Sequence, residues 1–309
     1  MKSILSKTTG TQPGGRPPAA VELSPEGVLA ASLPSPGDSP VFAYQPLPAG
    51  ALLPGIGEPN LRAPEVVAEG IRSALGQVSA RTRAVTLVLP DTVVRVFVLD
   101  FDSLPSKAVE AYPVLRFRLR KMVPFDVEHA GLSYQVLSET RNECKVLAAV
   151  LPGPILAEYE GAVRAAGYEP GAVLPSSLAA LETLDSLEAV LSANLTPLSL
   201  TTSICNGQNL LLYRTLDLPD DSALRADEVR RGIAVAAAYY EDNLGAKPTK
   251  LHFAGSTSSA GNNAEAFERW LADPNLTVVE LAPRNSIGAV SPLGNASVAG
   301  VSGALTGVR

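Results

Sequence analysis

Cysteine, histidine and tryptophan are scarce in this 309-residue chain: two, two and one. Cys144 and Cys205 stand far apart. They offer no disulfide framework and no thiolate spacing for a metal, and they fit a reducing compartment. His129 lies beside Glu128 in a polar stretch, and His252 sits between Leu251 and Phe253. Neither has a third partner in view, so a Ser-His-Asp triad or a histidine metal cluster is not supported, and both read as structural. Charged residues make up only 18%, with a net charge of −6. An acidic chain has no general attraction for phosphate backbones, so nucleic-acid binding would need a local basic patch. Segment 115–121 is the only candidate. Long apolar runs are missing as well. The long uncharged stretch near the C-terminal end is built of Gly, Ala, Ser and Asn, too weakly apolar to prefer lipid. Lys2 and Lys7 precede no apolar signal core, so the cytoplasm is the expected location. Neither of the two common phosphate loops, G-x-x-x-x-G-K-[ST] and G-x-G-x-x-G, occurs. Asp100 and Asp102 flank Phe101 at a strand end and read as a solvated turn.

Hydrophobic residues reach 46%, enough for a substantial core, and the length suggests two lobes. Residues 1–18 cluster Gly and Pro among polar residues and are expected to be a disordered tail. Segment 19–33 reads as two strands around Ser-Pro-Glu-Gly, and 34–62 is proline-rich with short apolar pieces. A helix is expected over 63–78, with Pro at its start, followed by strands at 83–90 and 92–100. Segment 105–123 carries conflicting signals. Its first half has helical spacing, while Leu115, Phe117 and Leu119 alternate with Arg116, Arg118 and Arg120. A helix interrupted at Pro113 is expected there. Strands follow at 130–139 and 143–152, then helices at 153–168 and 175–191. In the second half, 198–218 reads as two strands joined at Asn206-Gly207. A helix (226–245), a strand (249–255), a helix (263–273) and a strand (276–281) complete the chain. The alternation predicts a mixed α/β fold.

The order of these pieces resembles the PilM family of type IV pilus assembly proteins, relatives of FtsA in the actin-like ATPase superfamily. The stretch AVTLVLPDTVVRVFVLDFDSLPSKAVEAYPVLRFRLRKMVPFDVEHAGLSYQVL looks like the family's inserted subdomain, with Val123-Pro124-Phe125 at its turn and Leu132-Ser133-Tyr134 on the next strand. Segment 145–181 continues in register, and ASVAGVSGALTGVR is similar to the closing small-residue helix. The resemblance implies a two-lobed actin-like fold with an inserted subdomain. It divides the chain into a first-lobe core (19–84), an inserted partner-binding subdomain (85–155), a return to that core (156–191), a second lobe (192–284) and a closing helix (285–309). The second lobe is reduced, because only a short acidic link stands between Leu218 and Ala226 where the family places another subdomain.

Family members carry an acidic-Ile-Gly turn in each lobe that cradles ATP phosphates. Here the first matches Glu22, Leu23 and Ser24 before Pro25, and the second matches Asn194, Leu195 and Thr196 before Pro197. The adenine-side glycine turn matches Ala254, Gly255 and Ser256. Proline removes a donor, and the hydroxyl residues replace the glycines that allow close approach. No cofactor and no catalytic residue is therefore expected, with weak ATP–Mg binding left open by Glu22 and Gly255. What the resemblance implies is a non-enzymatic cytoplasmic adaptor of a type IV pilus or type II secretion platform, without nucleic-acid or small-molecule substrate. It would be peripheral to the inner membrane through a PilN-like bitopic partner, whose tail the family binds beside the inserted subdomain. Arg116, Arg118, Arg120, Lys121, Pro124 and Phe125 are the candidate contacts, with a weak anionic-membrane contact as a second use of the cations. A nucleotide-switched actin-like ATPase of the same machine is the alternative. An actin-fold structural protein of another envelope machine is a third reading.

Overall fold

The computed structural model describes residues 15–35, 38–57, 59–184, 186–207, 209–255, 263–282, 288–289, 293 and 296–306. The chain opens with an antiparallel meander of β1 (Ala19–Ser24), β2 (Gly27–Ser32) and β3 (Val41–Pro46). Helix α1 (Pro64–Gln77) crosses over to β4 (Ala84–Leu89), which lies parallel to β1. Helix α3 (Gly153–Ala165) later leads to β8 (Glu169–Pro175), parallel to β4, and then to α4 (Ser176–Leu181).

The second lobe repeats this plan. Strands β9 (Ala189–Leu195), β10 (Ser199–Asn206) and β11 (Asn209–Asp217) form the meander. Helix α5 (Ser222–Leu244) leads to β12 (Lys250–Gly255), and α6 (Asn263–Leu271) to β13 (Thr277–Glu280). The two sheets run β3-β2-β1-β4-β8 and β11-β10-β9-β12-β13, with matching strand directions. The short β14 (Gly288–Ala289) adds to β3, and α7 (Ala299–Leu305) returns to pack on β1 and α4.

Inside the first repeat, between β4 and α3, a 3-10 turn (Asp91–Val93) opens a three-stranded subdomain. Its elements are β5 (Arg95–Phe101), α2 (Ala108–Leu119), β6 (Gly131–Glu139) and β7 (Cys144–Leu151), in the sheet order β5-β7-β6. It has its own core, into which α2 sends Ala111, Leu115 and Leu119 at four-residue spacing. The subdomain also leans on the second lobe. Leu147 of β7, Leu178 and Leu181 of α4, and Cys205, Leu210 and Tyr213 form one buried cluster. Arg95 pairs with Asp217 at 3.1 Å on its rim.

Several sequence expectations change here. The interruption at Pro113 is absent, and α2 runs through it. The carbonyl that loses its donor belongs to Val109, which is 76% exposed, so water can replace the bond. The period-two alternation fails because Phe117 points outward while Leu115 and Leu119 point inward. The helix expected over 175–191 stops at Leu181, and Ala189–Leu195 is a central strand. The strand opens on the apolar run Ala189-Val190-Leu191, too short for periodicity to separate from the end of a helix. The proline-rich 34–62 conceals β3. Helix α5 starts four residues before the expected 226, because Asp221 caps it by accepting from Ala223 and Leu224 N–H at 2.9 Å. The expected disordered tail falls outside the described residues over 1–14. Arg16, within that tail, donates to the Gly303 carbonyl at 3.2 Å and pairs with Glu182 at 3.8 Å, so its end is fixed on α7 and α4.

Candidate functional site

The two meanders meet across a cleft. Its cavity holds about 340 Å³, and Glu22, Ser24, Asn194, Thr196, Ala254 and Gly255 all line it. Two lobes that are separated in sequence thus bring these expected positions to one place; Ser256, also expected there, lies outside the described residues.

The turns of the two meanders are built alike. In Ser24-Pro25-Glu26-Gly27 the serine Oγ accepts the Gly27 N–H at 3.2 Å and donates to the Gly27 carbonyl at 3.1 Å. In Thr196-Pro197-Leu198-Ser199 the threonine Oγ1 accepts the Ser199 N–H at 3.0 Å and the Leu198 N–H at 3.3 Å. The first side chain of each turn thus holds the Gly27 N–H in one and the Leu198 and Ser199 N–H in the other, and each second residue, a proline, has no N–H to give. Among the described lining residues the charged side chains are Glu22 and Glu26, and none is a cation.

Gly255 closes β12 with φ of +135°, and a Cβ there would strike the Leu195 carbonyl. The glycine is thus required by the approach of β12 to β9. A Cβ on Gly300 of α7 would collide with the Glu22 carboxylate. Glu22 Oε1 accepts from Ser176 Oγ at 2.5 Å. Burial pushes the Glu22 pKa up to about 7, and nearby Asp91 adds to this, while Ser176 and the Val301 N–H oppose it.

Behind the cavity lies Asp91, 3% exposed. Its carboxylate accepts from the Ser177 backbone N–H at 3.1 Å and from the Ser177 hydroxyl. Three further donors come from the second lobe: Asn194 Nδ2 at 3.5 Å, Thr201 Oγ1 at 3.3 Å and Tyr213 OH at 3.3 Å. Asn194 Nδ2 also reaches Ser177 Oγ at 2.9 Å. Burial raises the Asp91 pKa above the usual carboxylate range, and these bonds oppose that rise. The same burial, with Asp91 beside it, holds the Tyr213 phenol well above its ordinary value. Sequence reasoning identified Asn194 but missed Asp91, Ser176, Ser177, Thr201 and Tyr213. The hub gathers residues from distant elements, and no local motif marks them.

The candidate partner contacts lie on the inserted subdomain and differ among themselves. Arg116 is half-buried and donates to the Ala130 carbonyl at 3.3 Å. Arg120 pairs with Glu128 at 2.5 Å. Arg118 and Lys121 are exposed and, among the described residues, have no ion-pair partner, and Phe117 is 69% exposed. Pro124 is exposed, whereas Phe125 packs partly into the subdomain core. Among the described residues no His, Cys, Asp or Glu group could hold a metal, and no helix is long and apolar enough to cross a membrane.

No protein-family model matches the sequence, and no curated protein matches it. Solved structures do resemble it. A chain of a "PilM-PilN type IV pilus biogenesis complex" superposes with a TM-score of 0.70 at 20% identity, over 94% of this chain and 98% of that one. The cytoplasmic domain of EpsL, an inner membrane component of the type II secretion system of Vibrio cholerae, gives 0.51 at 15% identity, over 93% and 92%. The chain therefore has a PilM-type fold, the two-lobed actin-like arrangement with a subdomain inserted in its first lobe.

Proposed function

We propose that this chain is a nucleotide-independent adaptor of a type IV pilus or type II secretion assembly platform. It sits at the cytoplasmic face of the inner membrane and holds the cytoplasmic tail of a PilN-like bitopic protein. The fold likeness supports the machine. The observation that carries the nucleotide-independent part is the pair of hydroxyl-proline turns, which hold the Gly27, Leu198 and Ser199 N–H groups internally and lack one at each proline. A triphosphate would meet two carboxylates, two prolines and no described cation there. Asp91 meanwhile joins the lobes without a ligand, so the molecule performs no turnover and no nucleotide-gated opening.

The outward face of α2 and the turn after it supply the partner surface. Phe117, Arg118, Lys121 and Pro124 are its accessible members, with Arg120 beside them. Arg116 positions the segment through Ala130. The same cations, held near an anionic leaflet by the anchored partner, would each contribute about 1 kcal/mol of membrane attraction. The test is binding of a synthetic PilN-like tail peptide by calorimetry. The double variant R118E/K121E should bind about tenfold more weakly at unchanged Tm, while R116E should lower Tm. Unchanged affinity in the double variant, or a parallel fall in its Tm, would remove this surface from the proposal. Mg-ATP binding with a Kd in the low micromolar range, about 8 kcal/mol, would replace the adaptor reading with the nucleotide switch.

A further inference from the structure

Two helices of the described chain turn several large apolar side chains to solvent. On α2 these belong to the surface already assigned to the tail. On α5 they are Leu224, Val235 and Tyr239, at 60%, 46% and 37% exposure, with Ala234 and Ala238 exposed beside them. The opposite face of α5, with Val229, Ile233 and Ala236, is buried in the core of the second lobe. The outward face is therefore not what holds the helix in the fold.

The charges on α5 have a two-fold order. Arg231 and Asp242 stand at equal distances on either side of the midpoint between Ala236 and Ala237. Val235 and Ala238 do the same. Farther out, Asp227 on one side is answered by Lys247, just past the helix end, on the other. All four charged residues are exposed. Asp242 and Lys247 have no ion-pair partner among the described residues. Arg231 and Asp227 pair within their own helix, with Glu228 at 2.7 Å and Arg230 at 3.7 Å. Such exposed pairs contribute little and can be exchanged. A helix face whose charges reverse in sign about its own midpoint is complementary to the same face laid antiparallel on it.

We propose that α5 is a self-association face, through which two copies of this chain pair antiparallel about a two-fold axis at the Ala236–Ala237 midpoint. Arg231 of each copy meets Asp242 of the other, and Asp227 meets Lys247. Val235 packs on Ala238 of the other copy, and the alanines let the helix axes approach to about 8–10 Å. Leu224 covers each end of the seam. The 23-residue helix is about 35 Å long. A contact of that length lies at the small end of stable interfaces, so the pairing is reversible and concentration-dependent.

Sedimentation equilibrium on the full chain tests this. The mass should rise from one chain toward two between about 1 and 200 µM. A238R, at an exposed position, should weaken the association at least about tenfold, with Tm unchanged in dilute solution. R231D and D242R, each placing like charges across the axis twice, should also weaken it about tenfold. The double swap R231D/D242R restores opposite charges in the antiparallel register and should recover the native constant to within about threefold. A single-chain mass at every concentration, a dimer indifferent to A238R, or a double swap no better than its parents overturns the proposal. The adaptor reading rests on α2 and the cleft and stands or falls separately, through its own tail-binding test.

Discussion

Glu22 shows how far a single residue could be read from sequence. Its place in the cleft followed from the resemblance, but its partners did not. Ser176 lies 154 positions away along the chain, and Gly300 makes room for the carboxylate from the closing helix. The raised pKa has a definite consequence. Below pH about 4.5 the carboxyl is protonated in both folded and unfolded chains, so it does not affect stability. Between about 4.5 and 7 the unfolded chain releases the proton while the folded one keeps it, so stability falls as pH rises. The loss totals up to about 3 kcal/mol and is complete above pH 7. E22Q should therefore match the native chain in Tm near pH 4 and exceed it progressively up to pH 7–8. Parallel Tm curves across that range would contradict the placement of this carboxyl. Gly300 offers a check without titration. G300A should lower stability by about 1–3 kcal/mol in urea denaturation, because the added methyl must displace the carboxylate or α7.

At the scale of elements, the strong strands and the helices with clear spacing were legible, and so was the hairpin at Asn206-Gly207. The failures share a cause: tertiary burial decided segments whose local signal was mixed. Leu191 and Ala193 belong to a strand flanked on both sides, and Leu115 and Leu119 belong to a helix because the subdomain core lies on that side. Pro113 is the clearest conflict between local and tertiary preference. Its ring is exposed and its missing N–H leaves one carbonyl to water. P113A should restore that bond and raise stability by about 1–3 kcal/mol. A lower Tm would show that proline has a packing role here. The turn elements make the opposite prediction. T196V removes the acceptor of two backbone N–H groups and should cost about 1–2 kcal/mol, while T196S should be near neutral. Equal losses in both variants would mean that the threonine methyl, not the hydroxyl, holds the turn.

For the whole molecule, the strand pairs at 19–33 and 198–218 were visible in the sequence, and the cleft positions followed from the resemblance. What joins the lobes was not visible, because Asp91 draws on four separate elements. Replacing it tests how far the hub governs the global structure. D91A leaves the Asn194, Thr201, Tyr213 and Ser177 donors buried without their acceptor and should cost about 3–5 kcal/mol. Faster hydrogen exchange should appear in β9–β11. D91N keeps the shape and should fall between the two. A D91A chain that loses under about 1 kcal/mol would show that apolar contacts alone hold the lobes.

The wedged position of the inserted subdomain also has a mechanical side. Its strands meet α4 of one lobe and β11 of the other through a single buried cluster, with Arg95 and Asp217 bracing the edge. A load hung on α2 is thus carried into both lobes together instead of bending the subdomain away from one of them. Such a body passes force on as a strut does.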